Sequence, residues 1–591
     1  MNSMFKVLVV DLSRKKSKVE YFDTRKTWIG GSGLAAGLFE HFADFDADPF
    51  HPDQPLILAI GPLTGLFPLM SKTIMSFMSP YNGQYAESHG GGRSALALRF
   101  AGYDALVVTG RARKLTCLGF GSQEINIQDV HYLKGMDIFR TGKVLRGLKP
   151  RNPGHRSILR IGPAGENRIS YACVNVDTYR HFGRMGGGAV MGAKNLKGII
   201  ISGDSTQDLP HGRIKEYNKV YREIYSTVTE SGAVRKYHNL GTPENLIPLN
   251  ELRALPWRNL QSTHDPEIES ISGEKFADDL LLRQVACAGC PVGCIHIGLL
   301  RERFGHEHEY LYRQVSYDYE PIFGMGSMLG ITSAPGVLTL LEEVEKLGLD
   351  AISAGVALAW ATEALEKGVV GIDQTIVDLQ FGNVQAYVQA LTHLAGQDNE
   401  FYLELGKGAL VAAEKYGGED FACVLGQEMA GYATGENYFV SQALGFRHSH
   451  LDTGAYSFDQ EEQARDIHKS IDYMQSQEIY RILMCSVAGC LFGRKAYPKE
   501  TILKALNSTG LDYSEQELDQ AVQAIQAHRW AIKFRTGFNP DEIKIPGRFL
   551  EVETWKGRTD PDYLFKLKEK YQEVLRTLAE KHVFTTNGDQ E

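Results

Sequence analysis

Positive charge is in deficit in this chain: 63 lysines and arginines face 72 aspartates and glutamates across 591 residues. The resulting net charge of −9 leaves no basic footprint for nucleic acid. It leaves room for a small partner at a local positive patch. No apolar run approaches the length that crosses a bilayer. The first one, Phe5 and Val7–Val10, stops at Asp11 without a cleavage site, so it reads as a first strand and not a signal. Neither glycine triplet matches the dinucleotide fingerprint or the Gly-Lys-Ser/Thr phosphate loop. Internal repeats and long linkers are missing too, so the domains are expected to pack together. Four of the eight cysteines (Cys117, Cys173, Cys423, Cys485) are scattered without a pairing pattern. That excludes a disulfide framework and points to a reducing, cytoplasmic location.

The other four cysteines are where the chain becomes specific. Cys287, Cys290 and Cys294 are spaced C-x2-C-x3-C, with a fourth thiol far downstream at Cys490. A run this tight gathers three sulfurs round one small volume, as an iron–sulfur cluster requires. Zinc also takes four thiolates, but its sites usually pair two C-x2-C knuckles, and no second knuckle exists. Three buried structural cysteines are the bland alternative, and a poor account of three thiols in eight residues.

The chain is too long for one core. Residues 1–205 read as a β-rich domain with short helices at Ser32–Phe42 and Arg93–Ala101; residues 206–415 read as helical and carry the cysteine run; residues 416–591 are helical and supply Cys490. The fold class is therefore α+β. Helices are expected at Ile214–Ser231, Phe276–Gln284, from Ser333 to Gly348, and at Ile352–Lys367, Leu391–Tyr416, Gln460–Met474, Ser514–Trp530 and Asp562–Lys581. Ser514 and Glu517 have capping-box spacing. Residues 587–591 are expected to fray, and Gly305–Glu309, though rich in histidine, to form an exposed hairpin or loop without catalytic role.

Sixty-one glycines suit a backbone that approaches a large ligand closely. Two triplets stand beside basic side chains: Gly90–Gly91–Gly92 before Arg93, and Gly186–Gly188 after Arg184. Exposed N–H groups near an arginine suit a phosphate or a polar heterocycle, although either triplet alone is better explained by a tight turn in the β platform. Glu345 and Asp350 flank a helix C-terminus, where the dipole disfavours negative charge. A ligand with N–H donors, or solvent, must compensate. Cys485–Cys490 is a stretch of the same length, with Gly489 just before its end.

Taken in order, the cysteine run, Gly61–Gly65, Phe100–Asp104, Gly188–Lys197 and Leu347–Asp350 resemble the tungsten-containing aldehyde:ferredoxin oxidoreductase family, from the first strand to at least Gly493. The resemblance implies a tungsten or molybdenum ion held by two pterins, with magnesium bridging their phosphates and a [4Fe–4S] cluster close by. A β-sheet base would lie under the pterins and two helical domains above them. It implies Cys287, Cys290, Cys294 and Cys490 as cluster ligands, and Lys72 where relatives have an arginine between cluster and pterin. His89, beside Gly91, stands where they have an asparagine whose backbone helps hold magnesium. Arg184 and Gly186 match the second phosphate-side loop. Asp350, Leu349 and Glu345, the last replacing an aspartate, match the reader of one pterin. Cys485 and Gly489 match the reader of the other, with Cys485 in place of an aspartate.

Tyr319–Glu320 aligns with a Tyr–Glu pair near the metal, so Glu320 is the leading general base, its pKa tuned toward neutrality. The family histidine has no clean counterpart: either His448 or His450 takes that role, or the site lacks it. His296 is expected to orient the cluster loop, and Cys117, Cys173 and Cys423 to be core. The implied reaction is oxidation of an aldehyde, with electrons leaving to ferredoxin or an iron–sulfur partner subunit. Reduction of an aromatic or other carbonyl-level substrate is the alternative, and a non-catalytic electron relay the third. Members of the family are often dimers, so a homo-oligomer is within what the resemblance implies.

Overall fold

The computed structural model describes residues 4–148, 155–305, 308–462 and 464–582. Two six-stranded sheets form the N-terminal part. The first runs β2–β1–β6–β3–β4–β5, from strands β1 (Phe5–Asp11), β2 (Lys16–Phe22), β3 (Leu56–Ala59), β4 (Thr73–Met78), β5 (Tyr85–Gly90) and β6 (Ala105–Thr109). The second runs β11–β10–β9–β12–β7–β8, from β7 (Thr116–Phe120), β8 (Ile125–Asp129), β9 (His155–Arg160), β10 (Val174–Val176), β11 (Arg180–Phe182) and β12 (Leu196–Gly203).

The apolar run of β1 is continuous because both its faces are covered. Phe5, Val7 and Val9 pack with Leu34, Leu38 and Phe39 of helix α1 (Gly31–Phe42). Leu8 and Val10 turn the other way and join Leu118, Leu159 and Ile199 of the second sheet. Successive side chains of a strand point to opposite faces, so a strand between two cores must be apolar throughout.

The rest is mainly helical, with one exception that positions the site. The helix expected over Phe276–Gln284 is instead a short helix, Gly273–Asp279, capped by Ser272, followed by strand β13 (Leu281–Val285). β13 pairs with β14 (Ile295–Arg303), and β14 with β15 (Tyr310–Tyr317). Sheet pairing overrides the weak helical period there. The cysteine run is thus the connection of an antiparallel hairpin. Gly305 and Glu309 lie at the next hairpin connection as expected; His306 and Glu307 fall outside the described residues, as does 587–591.

Helix α2 (Tyr319–Met325) follows β15, capped by Asp318. Helix α3 (Ala334–Leu347) begins at its N-cap Ser333 and ends on Gly348, left-handed at φ 77°. Asp350 then caps α4 (Ala351–Glu366) by accepting the Ile352 N–H. The stretch Leu347–Asp350 is therefore a joint of three residues, Gly348, Leu349 and Asp350, between helices. The helix expected over Leu391–Tyr416 is three pieces (Val384–Gly396, Glu400–Leu405, Ala409–Tyr416), broken where Gln397 and Gly408 take positive φ. Asp466 likewise separates Ala455–Glu461 from α5 (Ile467–Ser486) by capping the latter. The Ser514–Glu517 capping box opens α6 (Glu515–Arg535), and α7 (Pro561–Glu580) closes the described fold. Among the described residues no single helix is long and apolar enough to cross a membrane.

Candidate active site and cofactor cavities

The four cysteines meet because three separate straps cross. The Gly90–Gly92 strap leaves β5 against the cysteine hairpin: the Gly92 N–H donates to Cys287 Sγ at 3.2 Å, and the Ala288 N–H to the Gly92 carbonyl at 2.9 Å. Beyond α5 the chain turns at Ala488 (φ 59°) and pairs with a loop of the first sheet. Lys72 N–H donates to Ala488 O at 3.1 Å, and Cys490 N–H to Leu69 O at 3.0 Å. Cys287, Cys290, Cys294 and Cys490 then line one cavity of about 300 Å³.

No three of these sulfurs lie within 4.8 Å of one another. A tetrahedral zinc at about 2.3 Å Zn–S would draw its sulfurs to under about 4 Å, so the spacing fits a larger inorganic core. Burial pushes the Cys290 and Cys294 thiols up to about 12, and a bound metal core would have to displace those protons. Arg180, which the sequence reading missed, reaches this cavity from β11. Burial works against its charge, but Cys287, Cys294 and Asp318 outweigh that and raise its pKa above the ordinary arginine value. His296 is buried, its Nε2 within 3.0 Å of both His238 O and Asn239 O and its Nδ1 3.3 Å from Cys294 O, so it steadies the hairpin.

A second cavity of about 210 Å³ adjoins the first, and Lys72, His89 and Arg180 line both. Gly91, Arg184, Glu345, Leu349 and Asp350 complete it. Arg184 Nε donates to Asp350 at 3.1 Å and Nη2 to the Glu428 carbonyl at 2.7 Å, while buried Nη1 has no partner. An unsatisfied buried guanidinium donor at the cavity wall suits a ligand with acceptor atoms, acidic or heterocyclic. Glu345 receives part of its compensation from the protein: Asn175 Nδ2 at 3.3 Å and His181 Nε2 at 3.4 Å. Gly186 lines neither cavity. It turns at φ 86° with the Ser170 carbonyl where a Cβ would stand, which is a packing role.

His89 sits between Glu87 (3.2 Å) and Arg447 (3.2 Å), and burial, then Arg447, pull its pKa down to about 4, so it is neutral. Cys485 Sγ is 3.6 Å from His89 Nδ1, and burial pushes that thiol up as well. Cys485 and Gly489 both line the first cavity. Cys117 and Cys423 are buried core; Cys173 is buried but borders the second cavity.

Glu320 stands in the first turn of α2, at the junction of the first cavity with an outer one of about 410 Å³. His450 Nε2 is 3.0 Å from Glu320 Oε1, and the Tyr432 hydroxyl donates to the same oxygen at 3.1 Å. Burial alone would raise the Glu320 pKa, but the hydrogen bond and charge of His450, then Tyr432, outweigh it and hold the carboxyl below its ordinary value. The expected shift toward neutrality belongs to its neighbour Asp318, raised to about 7 by burial and by the Glu320 charge.

Of the two histidines, the structure brings only His450 to the site. His448 takes a left-handed φ of 50° and turns into the core, where Nδ1 pairs with Ala443 O at 3.0 Å and burial drives its pKa to about 3. Tyr319 is also fully buried, its hydroxyl donating to Gly431 O, so it positions Glu320 without facing either cavity. Tyr432 had no signal in the sequence beyond being one of many tyrosines.

The model of the aldehyde ferredoxin oxidoreductase N-terminal domain matches residues 7–203, and that of domains 2 and 3 of the same family matches residues 219–582. The tungsten-containing aldehyde ferredoxin oxidoreductase of Pyrococcus furiosus is 30% identical over 596 residues, covering 95% of this chain and 93% of that protein. Its counterpart in Thermococcus kodakarensis is 28% identical over 598 residues, 95% and 94%. The aliphatic sulfonate oxidoreductase WOR-like subunit of Pyrococcus furiosus is 30% identical over 437 residues, 69% of this chain and 67% of that one. Among solved structures, the active-site complex BamBC of benzoyl coenzyme A reductase with 1,5-dienoyl-CoA shares the fold, at a TM-score of 0.80 and 20% identity over 98% of both chains.

Proposed function

The chain belongs to the aldehyde ferredoxin oxidoreductase family of tungsten enzymes, and from that premise we propose that it oxidises an aldehyde to a carboxylic acid and passes the electrons to ferredoxin or an iron–sulfur partner subunit. The observation that carries the reading is Glu320 with His450 and Tyr432 at the junction of the thiol-lined cavity and the outer cavity. The tungsten–pterin group, when bound, supplies the two-electron acceptor, and a [4Fe–4S] cluster the exit for single electrons.

The protein's own residues do the rest. Cys287, Cys290, Cys294 and Cys490 hold the cluster. Arg184, Glu345, Leu349 and Asp350 would hold one pterin and His89, Cys485 and Gly489 the other, and the strap carrying His89 and Gly91 would supply backbone groups to a magnesium ion. Lys72 and Arg180 place positive charge between the cavities. Substrate enters by the outer cavity, lined by Tyr432, Tyr456 and Phe492. Glu320, ionised, accepts the proton of an attacking water or aldehyde hydrate, and His450 and Tyr432 orient the accepting oxygen.

The test is elemental analysis with a dye-linked assay. About four irons and one tungsten per chain are expected, with aldehyde-dependent viologen reduction. Glu320→Gln should lower kcat by about 10²–10⁴-fold at unchanged metal content. Zinc without pterin, or unaltered turnover in the variant, would overturn the reading.

A further inference from the structure

At the C-terminal end of α1, three side chains that the catalytic reading does not use come together. Glu40 lies in the last turns of α1, His528 midway along α6, and His582 just beyond α7. One ligand atom from each lies within 4.8 Å of the other two, the one such trio of His, Cys, Asp or Glu among the described residues. His528 Nε2 is 2.7 Å from Glu40 Oε2, and His582 Nε2 is 4.0 Å from Glu40 Oε1. The two imidazole centroids are 4.3 Å apart.

An ion pair alone does not account for this arrangement. The His528 side chain is 8% exposed, yet its buried Nε2 makes no hydrogen bond: the Glu40 oxygen is close but off the axis of an N–H. A carboxylate near a helix C-terminus also sits at the unfavourable end of the dipole. Two imidazoles converging on it would, if both were protonated, repel each other. A bound cation removes each difficulty at once, because it takes lone pairs from neutral imidazoles and charge from the carboxylate.

We propose that Glu40, His528 and His582 form a binding site for a divalent transition-metal ion of the zinc class. Two imidazole nitrogens and one carboxylate oxygen suit zinc or ferrous iron, whereas calcium and magnesium prefer oxygen alone. Glu40 and His582 are 21% and 23% exposed, so water can fill the remaining positions.

The site would act as a staple. It ties α1, α6 and the end of α7 at one point, and α1 begins against the Cys485 and Ser486 carbonyls, where a Cβ on Gly31 would meet both. Arg529, the residue after His528, makes two bonds to Glu87, the partner of His89. An ion at His528 therefore fixes the rotation of α6 that aims Arg529 at the cofactor side. The role is structural, and turnover chemistry does not pass through it.

The test incubates the holoenzyme with zinc chloride, desalts it, and measures zinc per chain together with the temperature of irreversible inactivation. Wild type should retain about one zinc that His582→Ala lacks, and should inactivate at a higher temperature with zinc than without. His582 lies past the last helix, so its removal leaves α1 and α6 intact; Glu40→Gln gives a second, nearly isosteric loss of a ligand. Iron and tungsten contents, read in the same samples, report on the cofactor site separately. Equal zinc in wild type and both variants, or no zinc retained by wild type, overturns the proposal.

Discussion

Replacing Gly91 with alanine tests how the glycine strap and the cluster hairpin depend on one another. Gly91 is not among the residues with positive φ, so alanine brings no backbone strain and acts by contact alone. Its methyl would stand 2.9 Å from Cys287 Sγ, 3.5 Å from Lys72 Nζ and 3.6 Å from Arg180 Nε. Carbon contacts rest at about 3.5–4 Å, so the sulfur or the strap must retreat by most of an ångström. The strap is held to the hairpin by the Gly92 N–H on that sulfur and the Ala288 N–H on Gly92 O. Losing both costs about 1–3 kcal/mol, and keeping them while overpacking costs about the same. Either cost is small beside a typical stability of about 5–15 kcal/mol, so the variant folds. If that cost falls on cluster binding, the affinity drops about 5- to 150-fold, at about 1.4 kcal/mol per factor of ten. The assay is iron per chain after gel filtration, with the electron paramagnetic resonance spectrum of the reduced cluster. Gly147→Ala is the control, because nothing lies within 4 Å of its Cβ. Full iron and an unchanged spectrum in Gly91→Ala would refute the contact argument.

Three further perturbations address the network round the site. His450→Gln removes the group that most lowers Glu320, so burial should raise the carboxyl and carry the acid limb of kcat/KM to higher pH. The sign follows because the base works ionised and is lost as pH falls through its pKa; an unmoved limb would exclude the pairing. Arg529→Met leaves Glu87 buried without its two-pronged partner at 2.7 and 3.1 Å, which should cost about 3–5 kcal/mol and show as faster thermal inactivation. Adding Glu87→Gln should restore part of the loss; no change in either variant would refute it. Asp459 is buried and raised to about 6 from its ordinary 3.8 by desolvation. The native state then holds a proton that the unfolded chain releases, so stability falls as pH rises from about 4 to 6 and is flat above. Asp459→Asn should gain up to about 3 kcal/mol at pH 7 and nothing at pH 4; an equal offset at both would contradict the burial argument.

What could be read from the chain beforehand was whatever is written locally. The C-x2-C-x3-C spacing, the Ser514–Glu517 box and the Leu347–Asp350 joint each depend on residues a turn apart, and each appears where its pattern lies. What could not be read depends on distant partners. β5 carries Glu87, Ser88 and His89, too polar to resemble a strand until Arg529 and Arg447 arrive from the far end of the chain to satisfy them. Arg180 sits on a three-residue strand that only sheet pairing defines. His448 and His450 differ by two positions, and the one left-handed residue that sends them in opposite directions has no signature in composition. The helix expected over Phe276–Gln284 failed for a related reason: β14, further along, claims its second half.

The separation of Cys294 from Cys490 also has a consequence for how the protein is made. Three of the thiols leave the ribosome together, on a hairpin that can form as soon as β14 is complete. The fourth is held in place by Leu69, in the loop between β3 and β4, and arrives only after α5 has been synthesised. Domains generally fold in the order they are made, so the cavity stays open on one side through most of synthesis. The strap that ends in Cys490 therefore closes that side of the cavity only late in synthesis.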